Sequence, residues 1–129
     1  MNKEFIISMI IIIIIVSLNI FTQNYTKEVV SYIDDSLMDL RENIVQEEVE
    51  KEVVQKKIEK IMEQWEERYQ KLAYFIEHDE LEKVETQLTA LKANIEVEEY
   101  TQGVPELDTC IFILKHIKDK FSLQVKNVF

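Results

Sequence analysis

A single glycine (Gly103), a single proline (Pro105) and a single cysteine (Cys110) occur in 129 residues. So little turn-forming material excludes sheets of tight hairpins and long irregular loops, and a composition led by Glu, Lys, Leu and Ile reads as long helices. One cysteine excludes an intramolecular disulfide and any cysteine-based zinc cage. It does not follow the N-terminal apolar run, so a lipid-modified cysteine anchor is excluded as well. Positive charge is scarce too: 15 Lys and Arg stand against 25 Asp and Glu, for a formal net charge of -10 and a pI of about 4.7. Such a surface repels phosphate backbones, so nucleic acid is not an expected partner.

What is present begins with "FIISMIIIIIIVSLNIF", Phe5 to Phe21, an uncharged run. As a helix it rises roughly 26 Å, enough to cross a thin hydrocarbon core. The competing reading is a cleaved signal peptide, but Leu18 to Thr22 offers no small-x-small cleavage site. A retained anchor over residues 5–22 is therefore expected, with residues 1–4 inside. Lys3 and the terminal amine against Lys27 set that orientation, which places the rest of the chain outside the cytoplasm.

From Thr26 to Glu77 there is neither glycine nor proline, and Val30, Ile33, Leu37, Leu40 and Ile44 alternate steps of three and four. That is the a/d spacing of a helical seam. The same register continues through Ile58, Trp65 and Leu72 at one position and Val54, Ile61 and Phe75 at the other. Charged Glu47, Lys51 and Arg68 interrupt it. Polar Asp34, Arg41 and Glu48 flank the early seam, whereas Met62, Tyr69 and Ile76 widen the later one. A narrow stripe suits a two-helix contact and a broad one burial by two helices at once. Residues 23–57 thus read as a stalk, with a hinge as the alternative at "QEEVEKEVVQKKIEK", where ion pairs such as Glu47 with Lys51 hold a solvated helix.

Leu81, Val84, Leu88, Leu91 and Ile95 mark a second helix, with Asp79 as its cap and Glu82 as the third-position partner. "EEYTQGVPE" supplies the next loop, Gly103 providing positive φ and Pro105 opening a third helix. That helix buries Leu107, Cys110, Ile111, Leu114, Ile117 and Phe121, and the tail "SLQVKNVF" caps its base. The expected fold class is all-α: a transmembrane helix, a long stalk helix, and an antiparallel three-helix bundle over residues 58–129.

Few residues invite chemistry. His78, Asp79, Glu82 and His116 fall near one end of such a bundle and are the candidate metal ligands, or the parts of a pH-sensitive turn. The carboxylates are equally explained as a helix cap and first-turn charges that favour the macrodipole, with His78 closing the preceding helix. No metal or cofactor is assigned on this basis. Cys110 and His116 are turned roughly 240° apart on a helix, which disfavours a nucleophile pair. Trp65 reads as core. No nucleophile, base and oxyanion site assemble, so an enzyme is not expected. The "NYT" sequon at Asn24 is too short a pattern to carry an argument.

The apolar run, "WEERYQKLAYFIEHDELEKVETQLTALKANIEV" and "ELDTCIFILKHIKDKFSLQVKNVF" resemble the small membrane-anchored proteins of Firmicutes grouped as domain of unknown function 4363. Trp65, the His78-Asp79-Glu80-Leu81 turn, His116-Ile117 and the closing Asn127-Val128-Phe129 carry the likeness, with Val128 standing where isoleucine is expected. The resemblance implies a bacterial membrane protein with a helical extracytoplasmic part, and it supplies no catalytic residues.

Two readings of function result. The first is a structural or interaction protein whose stalk seam (Val30, Ile33, Leu37, Leu40 and Ile44) pairs with a second copy or with another membrane protein, because a lone helix leaves that seam exposed. The alternative is a ligand- or metal-sensing membrane module built on His78, His116 and the nearby carboxylates.

Overall fold

In a computed structural model the backbone is described from Asn2 to Val128 and the side chains from Asn2 to Phe121. Four helices follow one another: α1 (Asn2–Ile44), α2 (Lys51–Leu72), α3 (His78–Glu96) and α4 (Tyr100–Val128). The all-helical class is as expected, and a long apolar N-terminal helix does lead into a helical bundle.

Where the chain first turns back differs from the expected plan. Instead of running from Thr26 to Glu77, the helix stops at Ile44, and a short segment from Val45 to Glu50 returns the chain antiparallel as α2. Two of the three charges that interrupt the seam explain the break. A continuous helix would carry Glu47 and Lys51 into the interface, and burying unpaired charge is costly. Turning between them leaves Glu47 and Lys51 exposed and lets the apolar halves on either side face each other.

The bundle consequently has four helices rather than three, and its core takes in residues 26–57 as well as those beyond. Each helix packs on two neighbours: α1 on α2 and α4, and α3 on the same pair. The seam expected to await a partner is closed by the chain itself. Val30, Ile33, Leu37, Leu40 and Ile44 are each 4% exposed or less. They meet Val54, Ile58, Ile61, Trp65 and Leu72 of α2, Leu81, Val84, Leu88, Leu91 and Ile95 of α3, and Leu107, Cys110, Leu114 and Ile117 of α4 in one cluster.

Two contacts fix the α1–α4 register. Arg41 donates to Asp108 at 2.8 Å, and Lys118 donates to Ser31 at 3.5 Å, ten residues farther along α4 and ten residues back along α1. One more such step sets the end of α4, at Val128, level with Phe21. What the tail's side chains from Ser122 onward do, including the expected capping of the base, lies outside the described residues.

The α3–α4 turn corrects the reading of Gly103. Positive φ is adopted by Glu98, at 60°. Its N–H bonds Ile95 O at 3.1 Å and the Glu99 N–H bonds Asn94 O at 2.8 Å, the paired bonds of a Schellman motif. Gly103 lies inside α4, buried, where a Cβ would stand 3.2 Å from Leu91 Cδ1. Its missing side chain serves the close approach of α4 to α3, not a turn.

Candidate functional site

The α2–α3 connection, Ala73 to Glu77, brings together most of the chemistry-bearing residues. The N-cap of α3 is Glu77, whose side chain makes no capping bond, and His78 is the first helical residue. Asp79 is thus a first-turn residue, not the cap, and His78 does not close the preceding helix, which ends at Leu72. The first-turn carboxylates Asp79 and Glu80 still sit where the helix dipole favours negative charge.

The two histidines part company at this point. His78 Nε2 lies 2.8 Å from Glu82 Oε1, one turn along α3, and its Nδ1 is 3.4 Å from the Tyr69 hydroxyl of α2. His116 lies on α4, 3.8 Å from Glu80 Oε1. Positions 78 and 80 are about 200° apart around a helix, so each histidine faces a different side of the first turn of α3. Among the described residues no three His, Cys, Asp or Glu side chains are placed to share a metal ion.

Glu80 is the sheltered member of this group, its side chain 14% exposed. Lys120 reaches both Glu77 at 3.2 Å and Glu80 at 3.4 Å. The hydrogen bond it donates to Glu77 is the main reason the Lys120 ammonium is held above its ordinary pKa, with burial opposing it and the charges of Glu80 and Glu77 adding to it. Such a clamp fixes the base of α4 to the start of α3 without creating a reactive group.

A string of aromatic rings runs beneath it. Phe21 stacks on Tyr25 with centroids 6.3 Å apart, Tyr25 meets Phe75 edge-on at 6.0 Å, and Phe75 meets Phe121 at 6.2 Å. Trp65, Tyr69 and His78 form a second edge-to-face string. Tyr74, next to Phe75, is 88% exposed. The sequence reading placed Phe75 on the seam but missed this arrangement. The rings come from three elements that become neighbours only once α2 folds back, and the local signal was the unbroken apolar "LAYFI" at the end of a helix.

Elsewhere the surface is closed or shallow. The α1–α2 groove near Tyr32, Asp39, Lys57 and Ile61 encloses about 190 Å³, and salt bridging of Lys57 to Asp39 at 2.7 Å crosses it. Cys110 is buried, and burial, with the charge of Asp34 adding to it, pushes its thiol up to about 12. Burial thus disfavours the thiolate on which cysteine reactivity depends.

α1 is long and apolar enough to cross a membrane, and none of its apolar window is buried in the bundle. Burial begins at Thr26. A family model described as Domain of unknown function (DUF4363) matches residues 20–128. The chain belongs to this family. The part matched to DUF4363 is the bundle, from the last turns before Thr26 through α4, together with only the final residues of the apolar run. No curated protein matches the chain, and no solved structure does.

Proposed function

We propose that this DUF4363 protein is a single-pass membrane protein that holds a rigid four-helix bundle outside the cytoplasm as a structural or protein-interaction module, without catalysis of its own. The observation that carries the reading is the continuity of α1. One helix passes from the exposed apolar run into the bundle core without a loop, so helix alone joins the bundle to the apolar run. Charge supports it. The two loops farthest from the apolar run carry exposed Glu47, Glu48, Glu50, Glu98 and Glu99, and an acidic end is best placed away from anionic headgroups. Because the α1 seam is occupied, a second copy or another membrane protein would meet the outward faces of the bundle or the apolar run itself.

The sensing alternative gains nothing from the geometry, since a single ion would have to draw His78 and His116 from opposite sides of α3.

Membrane fractionation tests the proposal. The full chain should stay with bacterial membranes through alkaline carbonate extraction, and removal of residues 2–21 should release a folded helical fragment to the soluble fraction. Protease added outside should digest the bundle. Carbonate-extractable full-length chain would overturn the anchor, and a bundle digested only after lysis would overturn the orientation.

A further inference from the structure

The end of the bundle nearest the apolar run is built unlike its other end. From the last apolar residue of the run, Phe21, to Tyr25 is four residues, a rise of about 6 Å. The headgroup layer on each side of a bilayer is roughly 5 to 8 Å deep. Anything fastened at the level of Tyr25 therefore lies within that layer if Phe21 marks the edge of the hydrocarbon. What is fastened there is the α2–α3 turn, because Phe75 packs edge-on against Tyr25 and is backed by Phe121. The α1–α4 register carries α4 past this level to that of Phe21.

On this turn sits Tyr74, the most exposed of the large apolar and aromatic side chains among the described residues. A bare tyrosine flanked by a cation matches the belt at membrane interfaces, where a ring with one polar edge is stable at headgroup depth. Lys71, one turn before, is exposed and holds its ammonium 6.0 Å from the Tyr25 ring. Lys27 is exposed close by on α1. The acidic groups at this end are partly neutralised, Glu77 and Glu80 by Lys120, while Asp79, Glu82 and, beside Lys27, Glu28 stand exposed. Apolar and aromatic contact, more than charge, is the attraction such a surface offers.

We infer that the α2–α3 turn, with Tyr74 at its tip, docks into the headgroup layer of the same bilayer that α1 crosses, so that the bundle stands on two feet. This inference rests on the anchored reading. One foot alone would let the bundle tilt about Phe21, whereas the second fixes its height and its rotation about α1.

Spin labelling of the full chain in phosphatidylcholine–phosphatidylglycerol vesicles tests it. Nitroxides go one at a time on Ala73→Cys in the turn, Phe112→Cys on the outward face of α4, and Ile12→Cys within the apolar run. Buried Cys110 should take no label in the otherwise unaltered chain. Collision with a water-soluble nickel chelate is compared with collision with oxygen. Expected is several-fold less nickel collision at 73 than at 112, together with a rise toward the 112 level when Tyr74→Ser is added. Nickel exposure at 73 equal to that at 112, with 12 still shielded, would overturn the second foot and leave the anchor standing. Shielding at 73 that ignores Tyr74→Ser would likewise overturn it. Exposure at 12 would overturn both readings together.

Discussion

Asp34 extends from α1 toward α4 with one carboxylate oxygen buried and unpartnered. Desolvation, and secondarily the like charge of Asp35, raises its pKa above the ordinary 3.8, while Lys118 and Lys115 pull the other way. The folded chain therefore binds this proton more tightly than the unfolded chain. A raised carboxyl contributes stability that is fully present below the unfolded value and is lost as pH rises through the folded one. At neutral pH the ionised Asp34 is thus a burden on the fold. Asp34→Asn should raise the melting temperature at pH 7, and the advantage should shrink toward zero below about pH 4, where both side chains are neutral. An equal advantage at both pH values would mean that shape, not charge, sets the cost. The same neighbourhood explains Cys110, whose thiol is kept protonated by burial first and by Asp34 second.

At the scale of the elements, the turns divide by how they are made. The α3–α4 turn needs a left-handed residue and uses Glu98, a conformation costing a side-chain-bearing residue roughly 1 kcal/mol relative to glycine. Its partner Lys51 is 3.9 Å away with both side chains about half exposed, a pair worth little. Glu98→Gly should accordingly stabilise the chain by about 0.5–1 kcal/mol in chemical denaturation. Destabilisation would show that the Lys51 contact outweighs the backbone strain. From the sequence, glycine was the natural bearer of positive φ, and Gly103 was assigned to it. What the sequence could not display is that α4 begins at Tyr100 and needs Gly103 to approach Leu91. The buried faces of the helices, in contrast, were largely legible, because spacing by threes and fours reports which side meets apolar neighbours whatever those neighbours are, although Thr26 and Val29 are buried outside the seam that was read and Ile111 and Phe121 are only partly buried. That same indifference hid the topology. Leu37 and Leu40 show the same spacing whether a second chain or α2 covers them, and the break at Val45 to Glu50 contains neither glycine nor proline to announce it. Its one signal was charge at two successive seam positions, Glu47 and Lys51. That the two histidines do not converge was hidden for a related reason. Proximity at one end of a bundle could be inferred, but the side of α3 each ring occupies depends on where that helix starts, and it starts at His78.

The whole molecule is a helix, long and apolar enough in its first half to cross a membrane, whose second half is one of four staves of an up-down-up-down bundle, within the residues 20–128 that match the DUF4363 family. A chain of this size with one cysteine has no covalent staple, so its stability rests on closing the α1 seam against α2 and α4 within a single copy. Intramolecular closure is the claim on which the anchored-module reading and the second membrane foot both depend. It is tested most directly by replacing the facing pair Arg41 and Asp108 with cysteines in the full chain, reconstituted in vesicles, and treating it with a short bismaleimide. The account predicts a cross-link within one copy, seen as a faster-migrating monomer, with Cys110 unmodified. Cross-linked dimers in place of that monomer, or no cross-link at all, would contradict it and return the seam to a partner outside the chain.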